Sequence, residues 1–100
     1  MNQKIYFMLI HKNNSGFWGE FPDLPGCMTD GKDQDDLLRN ATDALASWID
    51  AKIRLGEALP ETSSLESVKG YAMKCDDDVV SIIPVTTFLP DTTLSVPKQA

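Results

Sequence analysis

Residues 21–56 read FPDLPG-CMTDG-KDQDDLLRNATDALASWIDAKIRLG, a two-proline corner, a short strand-like segment and one long helix with both ends marked. Pro22 and Pro25 remove two backbone donors around Asp23-Leu24, which ends any ladder and stiffens the chain into a turn. Residues 26–29 suit a short strand, and Asp30-Gly31 is a turn signal leading to the helix. Asp33 is the expected N-cap, with Asp35 and Asp36 placed where the helix dipole favours negative charge. Gly56 is the matching residue just past the helix, and Pro60 follows shortly after. Between those marks Leu37, Leu38, Ala41, Ala44, Leu45, Trp48, Ile49, Ile53 and Leu55 fall on one arc, while Asp36, Arg39, Asn40, Asp43, Ser47, Asp50 and Arg54 fall opposite. A helix of roughly 22 residues is about 33 Å long, enough to cross a small sheet. Lys52 alone breaks the apolar arc, and its stem suits packing with the amine in water.

Working outward, residues 4–11 carry the apolar run Ile5 to Ile10, too short for a stable helix and flanked by turn formers, so they suit an inner strand. Residues 12–16 (Lys-Asn-Asn-Ser-Gly) are a hairpin loop, and residues 17–21 form its antiparallel return, with Phe17, Gly19 and Phe21 on one face and Trp18 and Glu20 on the other. Residues 64–74, capped by Ser64, have the pattern of a second and weaker helix interrupted by Gly70. Residues 79–85 are β-branched, and Pro84 assigns them to an edge or a strand end. Residues 90–100 show little periodicity.

With 100 residues, 42% hydrophobic and 24% charged, the chain has material for one modest core. Its net charge of -6 repels phosphate backbones and attracts a basic partner, which disfavours nucleic-acid binding. Cys27 and Cys75 lack the paired spacing of zinc sites and disulfide scaffolds and read as thiols of a reducing compartment. There is no leader-like start and no apolar run of membrane-spanning length, so a soluble cytoplasmic protein is expected.

The sequence offers no nucleophile motif for its single histidine, His11, which reads as a strand-end or loop residue. A strand-rich start followed by a helix and many aspartates suggests a two-metal nuclease of the ribonuclease H type, but residues 5–10 hold no acid in the first strand, where such a site needs one. The Asp76 to Asp78 run has no EF-hand pattern and reads as a polar turn. Trp48 lies with Leu45 and Ile49 and reads as core. Trp18 and the 21–25 corner are open to two readings, a preorganised interface or a plain strand end.

Taken in order, Phe21-Pro22-Asp23-Leu24-Pro25-Gly26-Cys27, Asp30-Gly31, Ala41-Thr42-Asp43-Ala44-Leu45 and Gly56-Glu57-Ala58-Leu59-Pro60 resemble the HicB antitoxins over nearly the whole chain. The resemblance implies an α+β, partial ribonuclease-H-like fold of three antiparallel strands, one long helix and an edge strand (βββαβ), spanning residues 1–90. Residues 91–100 are then a tail, where Thr93 to Pro97 resemble the opening strand of a C-terminal DNA-binding module. It also implies a non-enzymatic antitoxin that binds a basic HicA-type mRNA endoribonuclease and occludes its active site. No cofactor or metal, no membrane and no DNA contact by these residues alone are expected, and homo-oligomerisation is left open. The candidate toxin-binding residues are Trp18, Glu20, Phe21, Asp23, Leu24, Asp36, Asp43 and Asp50. Two rival readings are an orphan interaction module of the same fold and a metal-dependent nuclease.

Overall fold

A computed structural model describes residues 2–75 and 79–89. The elements run β1 (Asn2–Asn13), β2 (Gly16–Glu20), β3 (Met28–Gly31), α1 (Gln34–Arg54), α2 (Leu65–Lys74) and β4 (Val79–Leu89). They form one antiparallel sheet in the order β3-β2-β1-β4. The apolar strand β1 is therefore inside, and β4, with Pro84, is an edge, as the residue pattern requires. The Asp76 to Asp78 run and the 91–100 tail lie outside the described residues.

Directly paired residues of antiparallel strands share a face, so the register sorts the sheet into two sides. Tyr6, Met8 and Ile10 of β1 and Val85 of β4 are buried on the first side, where Leu37, Ala41, Leu45 and Ile49 of α1 cover them. Those four helix positions recur at steps of four, one stripe of an amphipathic helix. The stripe is narrower than the sequence arc: Leu38 and Leu55 are exposed, Leu38 at the arc's margin and Leu55 at the cap, where the helix has ended.

The ends of α1 follow from its residues. Asp33 Oδ1 accepts the Asp36 amide at 2.8 Å. Asp36 Oδ2 reaches back to accept the Lys32 amide at 3.0 Å, and this bond holds the Asp36 carboxyl below its usual range. At the other end Gly56 takes φ +72°, its amide donates to the Ile53 carbonyl, and the Glu57 amide donates to the Lys52 carbonyl. This is a Schellman closure, which a residue without Cβ makes at little cost.

The corner is two fused turns. The Leu24 amide donates to the Phe21 carbonyl and the Cys27 amide to the Leu24 carbonyl, each at 2.9 Å. Pro22 and Pro25 occupy the second position of each turn, and Gly26 at φ +85° supplies the left-handed third position of the second. The geometry drives Phe21 and Leu24 inward, where both are buried in the core.

Several elements differ from the sequence expectation. β2 is residues 16–20 rather than 17–21, because Phe21 opens the first turn of the corner. The third strand is residues 28–31 rather than 26–29, because Gly26 and Cys27 are consumed by the turn, and Asp30-Gly31 end the strand instead of forming a separate turn. β1 and β4 are longer than expected, since each completes its ladder on the other. Residues 65–74 are a full helix, capped by Ser64, whose Oγ accepts the Ser67 amide at 3.2 Å, so the order is βββααβ.

That second helix packs on β1. Leu9 and Val68 are buried yet stand apart from the main core, which places α2 over the second side of the sheet, where Leu9 points. Ile5, Pro84 and Phe88 share this side and stay exposed, so α2 covers only part of it.

Candidate functional site

His11 corrects the sequence expectation of a strand-end or loop residue. It is 1% exposed, inside the sheet's second side, opposite Trp18 on β2. Their rings stack with centroids 4.0 Å apart and planes 9° from parallel. Its Nε2 lies 2.7 Å from Glu20 Oε2, and the Tyr71 hydroxyl of α2 donates to Glu20 Oε1 at 3.2 Å. One carboxylate thus joins β1, β2 and α2. The imidazole is clamped between an indole and an acid, which fixes its position in the sheet.

Across β2 from His11, Trp18 pairs with Asp30 on β3. Trp18, Met28, Thr29 and Asp30 line an open groove of about 500 Å³. Met28 is 59% exposed there, although its neighbour Cys27 is buried. The Asp30 carbonyl is occupied by Asn40 Nδ2 of α1 at 2.8 Å, which fixes the edge of the groove, while its carboxylate is in no ion pair among the described residues. A second cleft of about 260 Å³ lies at the start of α1, between Asn13, Phe17, Gly31 and Asp36.

The expected contact residues do not form one surface. Trp18 and Glu20 lie on the sheet's second side. Phe21 and Leu24, expected at the contact surface, are instead in the core, because the double turn folds them under α1. Asp23 is committed to the corner: its carboxylate accepts the Ser63 amide at 2.7 Å and the Ser63 hydroxyl at 2.5 Å. The Tyr6 hydroxyl donates to the Pro60 carbonyl at 2.7 Å beside it, and burial with the nearby Asp23 and Glu61 charges raises the Tyr6 pKa. Asp36 serves the helix start. Asp43 and Asp50 are exposed on α1, where Asp50 is bound by Arg54 at 2.6 Å and Asp43 is in no ion pair among the described residues.

Trp48 is only half-buried; its Nε1 donates to the Pro25 carbonyl at 3.2 Å, and Lys52 Nζ sits 5.0 Å over its ring while bridging to Glu57 at 2.6 Å. Cys27 is buried, which pushes its thiol up to about 11. Among the described residues no three His, Cys, Asp or Glu side chains come together as metal ligands, and no helix is long and apolar enough to cross a membrane.

Met28, Asp30 and Tyr71 escaped sequence reasoning as neighbours of Trp18. The signal for His11 was present: a two-residue loop at Asn14-Ser15 sets His11 opposite Trp18. The loop is favoured by Asn13, whose Oδ1 accepts the Ser15 amide at 2.8 Å.

Comparison with known proteins bears on the family and the fold. The chain is 31% identical over 81 residues to a 14.9 kDa protein of Haemophilus phage HP1, covering 81% of this chain and 60% of that protein, so it spans only part of that relative's length. Its fold matches the N-terminal domain of the Burkholderia pseudomallei antitoxin HicB with a TM-score of 0.63 at 19% identity, covering 87% of this chain and 99% of that one. It also matches a chain of a HicA3–HicB3 toxin–antitoxin complex with a TM-score of 0.55 at 26% identity, covering 87% of this chain and 96% of the other. The family described as HicB-like antitoxin of bacterial toxin–antitoxin systems matches residues 6–94. With its four-stranded antiparallel sheet under one long helix and the double-proline corner between them, this chain belongs to the HicB-like antitoxin family.

Proposed function

We propose that this chain neutralises a small basic HicA-type mRNA endoribonuclease in the cytoplasm by covering its active surface, with no catalysis of its own. The observation that carries this reading is the match to a chain of a solved toxin–antitoxin complex at 26% identity over nearly all of that chain. The charge supports it independently: at -6 the protein attracts a cationic partner at long range and accelerates encounter. The rigid scaffold supports it too, since a preorganised surface loses little entropy on docking.

Of the eight candidate contacts, Trp18 and Asp43 are the ones left to meet a partner, because Phe21 and Leu24 serve the core, Asp23 the corner and Asp36 the helix start, while Glu20 is held by His11 and Tyr71 and Asp50 by Arg54. The test is co-expression with the small basic protein encoded beside this gene. A complex that survives purification and associates more slowly as salt rises is the expected result. Absence of such a neighbour, together with no partner on co-purification, overturns the reading.

A further inference from the structure

We propose that the groove between Trp18 and Asp30 receives an arginine side chain from the basic partner, so that the second side of the sheet, not the solvated face of α1, is where the partner anchors. The partner's identity rests on the antitoxin reading; the chemistry of the groove does not.

Trp18 has two flanks. His11 on β1 stacks against one at 4.0 Å, and Asp30 on β3 is its cross-strand neighbour on the other. The groove lies on the β3 flank, so the indole has its back supported and its open side turned to the cavity wall that Asp30 and Met28 share. His11 is in turn held by Glu20, and Glu20 by Tyr71 of α2, which leaves the indole little rotational freedom. A fixed indole beside an uncommitted carboxylate matches a guanidinium on two counts: the cation lies over the ring face, and its planar N–H fork meets the carboxylate. The exposed Met28 thioether and chain suit the methylene stem of the same side chain.

The face of α1 is poorer in such features. Of its acids, Asp36 and Asp50 are already bonded to Arg39 and Arg54, Asp43 has no ion pair among the described residues, and the helix's one tryptophan already carries Lys52 over the ring. The Trp48–Lys52 pair, with Glu57 closing on the amine at 2.6 Å, is in effect the same aromatic–acid–cation arrangement filled from within the chain. The Trp18 groove has the indole and the acid but draws no cation from the described residues, and that missing element is what a basic partner supplies.

The experiment has two arms. In the first, isotope-labelled protein is titrated with N-acetyl-arginine amide and, separately, with N-acetyl-glutamine amide. The expected result is saturable movement of the Trp18 indole N–H and the Met28 methyl with arginine only, at millimolar affinity, while the Trp48 indole stays still as an internal reference. Equal movement of both indoles, or none, overturns the groove. In the second arm the co-purified partner is titrated against Asp30→Asn, Asp30→Arg and Asp43→Asn. Asp30→Asn weakens binding about tenfold, Asp30→Arg by about a hundredfold or more, and Asp43→Asn by less than about threefold. Full affinity for both Asp30 variants overturns the anchor while leaving the antitoxin reading intact. If no partner binds the wild-type chain, the antitoxin reading fails and the first arm alone decides the groove.

Discussion

Replacing Gly31 by alanine tests how α1 is seated on the sheet. A Cβ built there lies 2.4 Å from the Leu37 nitrogen, 2.7 Å from its Cα and 3.0 Å from the Asp36 carbonyl carbon. Ordinary contact begins near 3.4 Å, so the first turn of α1 must retreat by about 1 Å. It cannot do so alone, because Asp33 and Asp36 bond that turn to the backbone just before it and Leu37 is fully buried beneath it. The atoms in the way are backbone, so no rotamer change relieves them. Overpacking of this kind costs about 1–3 kcal/mol, and the upper half of that range applies here. For a domain of this size about 2–3 kcal/mol lowers Tm by roughly 10–20 °C. Thermal unfolding followed by far-ultraviolet circular dichroism, paired with a urea titration, reads the change. Gly70→Ala is the matched control: nothing lies within 4 Å of its Cβ, it sits inside α2, and it should gain about 0.5–1 kcal/mol. A Gly31→Ala protein within about 0.5 kcal/mol of wild type refutes the close seating of α1 on β3.

Asp23→Ala leaves the Ser63 amide without its acceptor and unties the corner from the segment before α2. A loss of about 1–3 kcal/mol is expected, with faster amide exchange at residues 57–64 than in α1. Unchanged exchange there would mean that Tyr6, through its bond to Pro60, holds the segment by itself. The two thiols should separate by reactivity: at pH 8 a maleimide modifies half-buried Cys75 first, while Cys27 reacts only on unfolding, since burial keeps it protonated. Mass spectrometry of the partly labelled protein decides, and early label on Cys27 contradicts its burial. The same burial sets a pH dependence. The folded pKa of Cys27, about 11, lies above the ordinary value of 9.0, so its contribution is fully present below pH 9 and is lost as pH rises through about 11. Cys27→Ser should flatten the alkaline limb of the stability curve; a limb of unchanged slope would assign the loss to other groups.

Much of this fold is legible in the residues because local chemistry and global topology agree. Asp33 and Gly56 mark the ends of α1 since a cap and a left-handed stop are demanded by unpaired backbone groups, wherever the helix packs. Pro84 marks an edge because it has no donor to give to a second neighbour. Leu38 and Leu55 were misplaced because periodicity gives the width of an apolar arc but not how much of it the sheet covers. Phe21 and Leu24 show the limit more sharply. Proline placement announces a rigid corner, yet whether its apolar residues turn outward or under the helix depends on two turns in series, with Gly26 setting the second. The second side of the sheet was the least legible part. α2 buries only Val68 among its ten residues, so its amphipathic pattern is faint, and without it nothing in sequence places His11 and Leu9 indoors. The candidate site suffers for the same reason, since Trp18, Asp30 and Met28 meet only through strand register.

Physical cover, the mode of action proposed for this chain, is tested by RNA cleavage by the co-purified basic partner, measured while this chain is titrated in at low salt and again at high salt. Cleavage should fall to the background near stoichiometric addition, with the RNA and both proteins intact and with weaker inhibition at high salt. Cleavage that persists in excess of this chain, or RNA degraded by this chain alone, would contradict it.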